Sequence, residues 1–232
     1  MLGRLTPRLG MAVLLLALVA PSRAAAQVPG SRTRVEGIAA WVGGVGRTGA
    51  SPILRSDVVL RARMRLGGQT GRVEMGPLPP ALLRAALDEL IGEVLIEREA
   101  DRLRATRPSD AEVLEERARI DREAGGATVL NELLRRLAAA PEEIDAVARR
   151  RAYVDAFLRA NLEGNTEITD TQVDRAFEAG DHPFVGRDLE AVREVLRAWL
   201  QQRLLARDVA RWIEVLRSRT TVRVLAEWAR DA

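Results

Sequence analysis

The sequence predicts a mainly α fold, a helical domain with a small β-sheet joining an N-terminal hairpin to a C-terminal strand. Three observations predict it. From Pro80 to about Arg219 apolar residues recur at three- and four-residue steps, the period of a helix face. Ser109 with Glu112, and Thr169 with Gln172, carry the spacing of a capping box. The stretches that read as strands, 35–42, 51–54 and 220–225, lie at opposite ends of the helical region. A lone terminal strand needs a partner, so the two ends are expected to meet.

Residues 1–26 read as a secretory signal peptide. Arg4 and Arg8 give a positive start, Met11–Ala20 is an apolar run, and Ala24-Ala25-Ala26 supplies small residues for cleavage before Gln27. The run is too short for a hydrocarbon core, which takes roughly 20 residues. The expected compartment is the periplasm, with no stable membrane insertion after cleavage. Residues 27–34 form a polar lead-in.

The domain is expected over 35–225, divided as a hairpin at 35–54, helices at 55–219 and a closing strand at 220–225, with 226–232 as a tail. Val35–Val42 is apolar and partly β-branched, as a strand requires. A glycine-rich turn follows, and Pro52 confines the returning strand 51–54 to an edge. Ser56 is positioned as the N-cap of a helix through Leu66. Residues 67–79, rich in glycine and proline, read as a loop.

Leu83, Leu87, Leu90, Ile91, Val94 and Leu95 mark a helix from Pro80 to about Arg104. The helix capped by Ser109 stops at Gly125-Gly126. Another covers 127–139, and Pro141 opens the helix that carries Ile144, Val147, Tyr153, Val154, Phe157 and Leu158. Thr169 caps a short helix before the break at Gly180–Pro183. The longest helix spans about 188–219, with a stripe of Val192, Leu196, Trp199, Ala206, Val209, Ile213 and Leu216 interrupted at Gln202 and Arg203. Thr220–Leu225 then alternates, as a strand does.

Composition excludes several functions. The chain has no cysteine and one histidine, which removes disulfides, thiol catalysis and a multi-histidine metal centre within one chain. All 36 basic residues are arginine, so lysine-based phosphate binding and Schiff-base chemistry are impossible. The net charge of +3 is accounted for by Arg4, Arg8 and Arg23 of the leader. A neutral remainder with 3% aromatic residues does not suit nucleic acid. No catalytic residues, no metal and no cofactor are expected.

Motifs that suggest chemistry have simpler readings. Gly44-Val-Gly-Arg-Thr-Gly49 matches G-x-G-x-x-G, but Pro52 follows where a phosphate site needs a helix N-terminus, so it reads as a hairpin turn. His182 beside Asp181 reads as a solvated turn histidine. Glu112, Glu115 and Glu116 read as a solvated helix face, and Arg149-Arg150-Arg151 as arginines spread around a helix near Glu142, Glu143 and Asp145. Tyr153, Phe157, Trp199 and Trp212 read as core.

The order of these elements resembles the chaperone domain of the SurA family of periplasmic chaperones, over roughly 35–225. Val35-Glu-Gly-Ile-Ala-Ala-Trp-Val42 with Pro52-Ile-Leu-Arg-Ser-Asp-Val58 is similar to that family's opening hairpin and first helix. Leu87-Asp-Glu-Leu-Ile-Gly-Glu-Val-Leu-Ile96 resembles its second helix, and Glu167-Ile-Thr-Asp-Thr-Gln-Val-Asp-Arg-Ala-Phe177 its acidic capped helix. Leu216-Arg-Ser-Arg-Thr-Thr-Val-Arg-Val-Leu225 resembles its closing helix and strand. The turn at 43–50 is longer than in the family.

The resemblance implies ATP-independent binding of unfolded polypeptides, above all outer-membrane protein precursors. Related proteins carry parvulin-type isomerase domains between the acidic and closing helices. Here ten residues separate Phe177 from Asp188, whereas such a domain takes on the order of 100, so no isomerase activity is implied. Met64, Met75, Leu78 and Leu82 are the candidate client-binding residues, since methionine is flexible and polarisable. The alternative is a helical adaptor of a cell-envelope assembly that binds one folded partner.

Overall fold

The computed structural model describes residues 37–44, 49–162 and 167–229. The signal-type leader, the polar lead-in, residues 35 and 36 of the first strand reading, residues 45–48 of the glycine-rich turn and the last three residues lie outside them. Three strands, β1 (Ile38–Val42), β2 (Ser51–Leu54) and β3 (Val222–Val224), form an antiparallel sheet in the order β2-β1-β3. The expected closure is present: Ala40 pairs with Val224, Trp41 with Arg223 and Val42 with Val222. The β1–β2 register slips between Ile38 and Ala40. The Ala39 carbonyl accepts from the N–H of both Leu225 (2.8 Å) and Ala226 (3.1 Å). Val222 and Val224 pack on the main core and Arg223 faces water, as alternation requires.

Seven helices lie between the hairpin and β3 among the described residues. They are α1 (Arg55–Thr70), α2 (Pro80–Arg102), α3 (Asp110–Glu123), α4 (Ala127–Leu137), α5 (Pro141–Leu162), α6 (Asp170–Ala179) and α7 (Leu189–Arg219). Both capping boxes form, Ser109 with Glu112 and Thr169 with Gln172.

At the start of α1 the expected cap is displaced. The chain turns helical at Arg55, and the Asp57 carboxylate accepts the N–H of Leu54 at 3.2 Å. The other end of α1 departs further, running through Gly67 and Gly68 to Thr70 instead of stopping at Leu66. The two glycines face the turn between α3 and α4. A Cβ at Gly67 would lie 2.7 Å from the Ala124 carbonyl oxygen, and one at Gly68 would collide with that of Glu123. They serve close backbone approach, so the helix continues past them.

The core has three parts. The largest joins the sheet to α2, the second half of α5 and the second half of α7, through residues such as Val42, Ile53, Leu90, Ile91, Val94, Tyr153, Phe157 and Leu216. The second holds α1, α3, α4 and the first half of α5 around Leu60, Met64, Ile120, Leu130, Leu133 and Ile144. The third is small: Ile168, Val173 and Leu196 are buried between α6 and the first half of α7.

The stripe read along α7 is therefore two faces. Leu189, Leu196, Trp199 and Leu200 pack with α6, whereas Val209, Trp212, Ile213 and Leu216 pack on the main core. At about 100° per residue, Leu196 and Trp212 point to roughly opposite sides. Ala206, placed in the stripe by the sequence, is exposed at the crossover. Beyond β3, the stretch expected as a tail continues the packing. Ala226 is buried, and a 3-10 turn at Glu227–Ala229 lies against α2, where Arg84 donates to the Trp228 carbonyl at 3.0 Å.

Candidate functional site

Four helices surround an open cleft of about 620 Å³. Each contributes residues spaced three or four apart, which fall on one face of a helix. From α1 come Arg61, Met64, Arg65, Gly68 and Gln69, and from α2 Glu89, Glu93 and Ile96. From α5 come Arg151, Val154 and Leu158, from α7 Val209 and Ile213, and Glu123 stands at the end of α3. Gly92 permits the close crossing of α2 and α7, since a Cβ there would meet Ile213 Cδ1 at 3.0 Å. Phe157 and Trp212, with ring centroids 5.3 Å apart, tie α5 to α7.

The cleft has an apolar lining of Met64, Ile96, Val154, Leu158, Val209 and Ile213 and a charged rim already matched within the chain. Arg61 donates to both oxygens of Glu93 (2.7 and 3.0 Å) and lies 3.6 Å from Glu89. Arg65 pairs with Glu89 at 2.6 Å, and Arg151 reaches both oxygens of Glu123 at 2.8 and 3.1 Å. Burial works against the charge of Arg61, but Glu93 and Glu89 outweigh it and hold the guanidinium above its ordinary range. Burial likewise opposes the Glu123 carboxylate, yet Arg151 holds it below the usual range. Three arginines and three glutamates on the lining cancel. A ligand meets no net charge there, and its contact free energy comes from apolar area.

The candidate residues are dispersed. Met64 lies on the cleft wall, largely covered by the second core. Leu78 and Leu82 pack, half-buried, against the main core. Met75 is exposed on the loop after α1, whose Glu74 and Gly76 carbonyls accept from Arg63. Sequence reasoning missed Ile96, Leu158, Val209 and Ile213 as cleft residues. Their helical periodicity was visible, but periodicity marks an inward face without telling whether it meets a neighbour or opens to a cleft.

Two readings of polar residues are corrected. Glu116 is not on a solvated face: it is 4% exposed, between α3 and α5. Arg119 Nε donates to Glu116 Oε2 at 2.6 Å, and Arg151 Nε stands 2.8 Å from Oε1 in an ion pair outside hydrogen-bonding alignment. At Glu116 a partly buried carboxylate–guanidinium network, extended by Asp155 through Arg119 (2.9 Å), takes the place of solvent, while Glu115 stays exposed as expected. Arg151 is thus separated from its exposed neighbour Arg149 by its two glutamate partners.

His182 is also buried, at 9% exposure, rather than solvated. The Phe184 N–H donates to Nδ1 at 3.1 Å, so the proton lies on Nε2, which donates to the Phe177 carbonyl at 3.2 Å. The ring stacks on Phe177 and Phe184, with centroids 5.1 and 6.1 Å away. It locks the break between α6 and α7. The described flanks of the glycine-rich turn lead into β2, with Pro52 inside the strand, and not into a helix N-terminus.

No protein-family model and no curated protein sequence matches this chain. Among the described residues no helix is long and apolar enough to cross a membrane.

Proposed function

We propose that the chain is an exported chaperone of the SurA type that holds unfolded polypeptides without ATP and without isomerase activity. Its clients in this reading are outer-membrane protein precursors in the periplasm, reached through cleavage of the leader before Gln27. The observation that carries the proposal is the open cleft between α1, α2, α5 and α7. Its lining offers flexible or branched apolar side chains, and its charges are satisfied within the chain. Such a surface accommodates varied apolar segments and presents no fixed polar pattern that would restrict it to one partner. The pairing of the terminal strands supports the same reading, because it is the closure that the resemblance implies.

The test uses the mature chain and an unfolded outer-membrane barrel protein diluted from urea. The chain should suppress aggregation equally with and without nucleotide. A photo-crosslinker at Gln69, on the cleft rim, should label the client, and one at Glu227 should not. Absence of suppression, with capture of one folded envelope protein instead, would replace the chaperone reading with that of a helical adaptor.

A further inference from the structure

One side chain fastens the break between α6 and α7. His182 accepts the Phe184 N–H at Nδ1 (3.1 Å) and donates from Nε2 to the Phe177 carbonyl (3.2 Å), and its ring stacks on both phenyl rings. Phe177 and Phe184 in turn pack against the small core of Ile168, Val173 and Leu196. The imidazole therefore joins the last turn of α6 to the chain that leads into α7.

Both hydrogen bonds require the neutral ring. A backbone N–H only donates, so Nδ1 must offer a lone pair, and the proton must sit on Nε2. A second proton at Nδ1 sets two N–H groups against each other and leaves the Phe184 N–H without an acceptor. Stacking on phenyl faces suits a cation, but turning the ring gives no relief, because an imidazolium has a donor on each nitrogen. Only an opened turn accommodates it.

The charged groups of the surrounding elements do not compensate. Arg175 and Glu178 on α6 and Asp181, Arg187 and Asp188 in the break are all exposed. On α7, Arg203 pairs with Asp181 at 2.8 Å, and Arg193 engages Asp174 and Glu190 at 2.7 Å each. Among the described residues, the hydrogen bonds of the ring nitrogens go to the two backbone groups alone.

We propose that His182 is a proton-operated latch: the neutral ring holds the break closed, and protonation at Nδ1 releases it, so that the α6–α7 hairpin opens more often in mild acid. The sign follows from linkage. A closed state that takes only the neutral ring loses ground as pH falls through the range in which histidine ordinarily gains a proton, about 5 to 8. His182 is the one histidine of the chain. The hairpin rests on a small core, so it is a part that one lost fastening can open. The inference stands independently of the chaperone reading.

Deuterium exchange of the full chain at about pH 7.5 and about pH 5.5, corrected for the intrinsic pH dependence of amide exchange, reads the latch. Opening measured on peptides from α6 should rise up to about tenfold, the change in protonation of an unconstrained histidine with an ordinary pKa of about 6.5. His182→Gln cannot gain that proton, so its ratio between the two conditions should be one, whatever its opening at neutral pH. Ring nitrogen NMR shifts, unambiguous with a single histidine, should place the neutral proton on Nε2. Level exchange in the unmutated chain overturns the proposal, as does a neutral ring protonated on Nδ1. So does a pH dependence that survives in His182→Gln, which assigns the effect to another group such as Glu97 on α2, whose carboxyl burial raises.

Discussion

Gly68 passes the carbonyl of Glu123 too closely for any side chain, so α1 meets the end of α3 backbone to backbone. An alanine in an exposed helix interior normally stabilises by about 1 kcal/mol relative to glycine. Here the sign reverses. Gly68→Ala should cost about 1–3 kcal/mol, the range for overpacking a tight contact. Gly76→Ala is the control, since a Cβ there meets nothing within 4 Å. Urea unfolding of the two variants checks the contrast.

The closing strand supplies a second contrast. Val224 is half-buried on the core face of the sheet and Arg223 next to it is exposed. Val224→Asp places a carboxylate against apolar neighbours and should cost about 1–3 kcal/mol. Arg223→Glu should stay within about 0.5 kcal/mol. Deleting 220–232 should lower the melting temperature by more than either substitution, because it removes β3 and the packing of Trp228 together.

Removing Glu116 should expose how much its network matters. Glu116→Ala leaves Arg119 and Arg151 without a buried partner, but Asp155 and Glu123 still engage them. The cost should be about 1–3 kcal/mol, below the larger penalty of an isolated buried charge. Glu115→Ala, on the exposed side of the same helix, should be close to neutral. Thermal melts separate the two.

Acid should weaken the fold over a defined window. Hydrogen bonds from Arg135 and Arg136 depress the Glu132 carboxyl from its ordinary 4.5 to about 2. A carboxyl depressed in the folded state contributes stability above its unfolded pKa, and that contribution fades as pH falls towards the folded value. Glu123, held down by Arg151, and Asp170, held down by Arg197, act in the same direction. Glu97 acts in the opposite one, because burial raises it. Glu97→Gln should therefore raise the urea midpoint at neutral pH, with the gain vanishing in acid. Glu132→Gln should flatten the decline between pH 4.5 and about 2. Urea midpoints measured from pH 7 downward test both signs.

The elements set by local chemistry were legible in the sequence. Ser109 and Thr169 cap helices because their hydroxyls and the glutamate or glutamine three residues on need no distant partner. The alternation at 220–225 required a strand, and the only available partner lay at the other end. What was missed depends on distant neighbours. Gly67 and Gly68 have a breaker's composition, and only the approach of residues 123 and 124 explains why α1 runs through them. Glu116 and His182 have polar identities that suggest solvent, until Arg119 and Arg151 on one side and Phe177 and Phe184 on the other enclose them. Of the candidate site, Met64 was found, but the helix crossing that opens the cleft was not in any local pattern.

The opposite-facing grip on α7 gives a single helix two different lifetimes. Its first half leans on a small cluster shared with α6, in which Ile168, Val173 and Leu196 are buried and the rest half-buried, whereas its second half is held by the sheet, α2 and α5. Opening free energies follow the apolar contacts that must be broken. Backbone amides before about Leu204 should exchange with deuterium through partial opening of the α6–α7 hairpin, while those after Val209 wait for global unfolding. The exposed residues around Ala206 then form a fraying boundary inside a continuous helix, where the hairpin can detach and re-form without loss of the cleft.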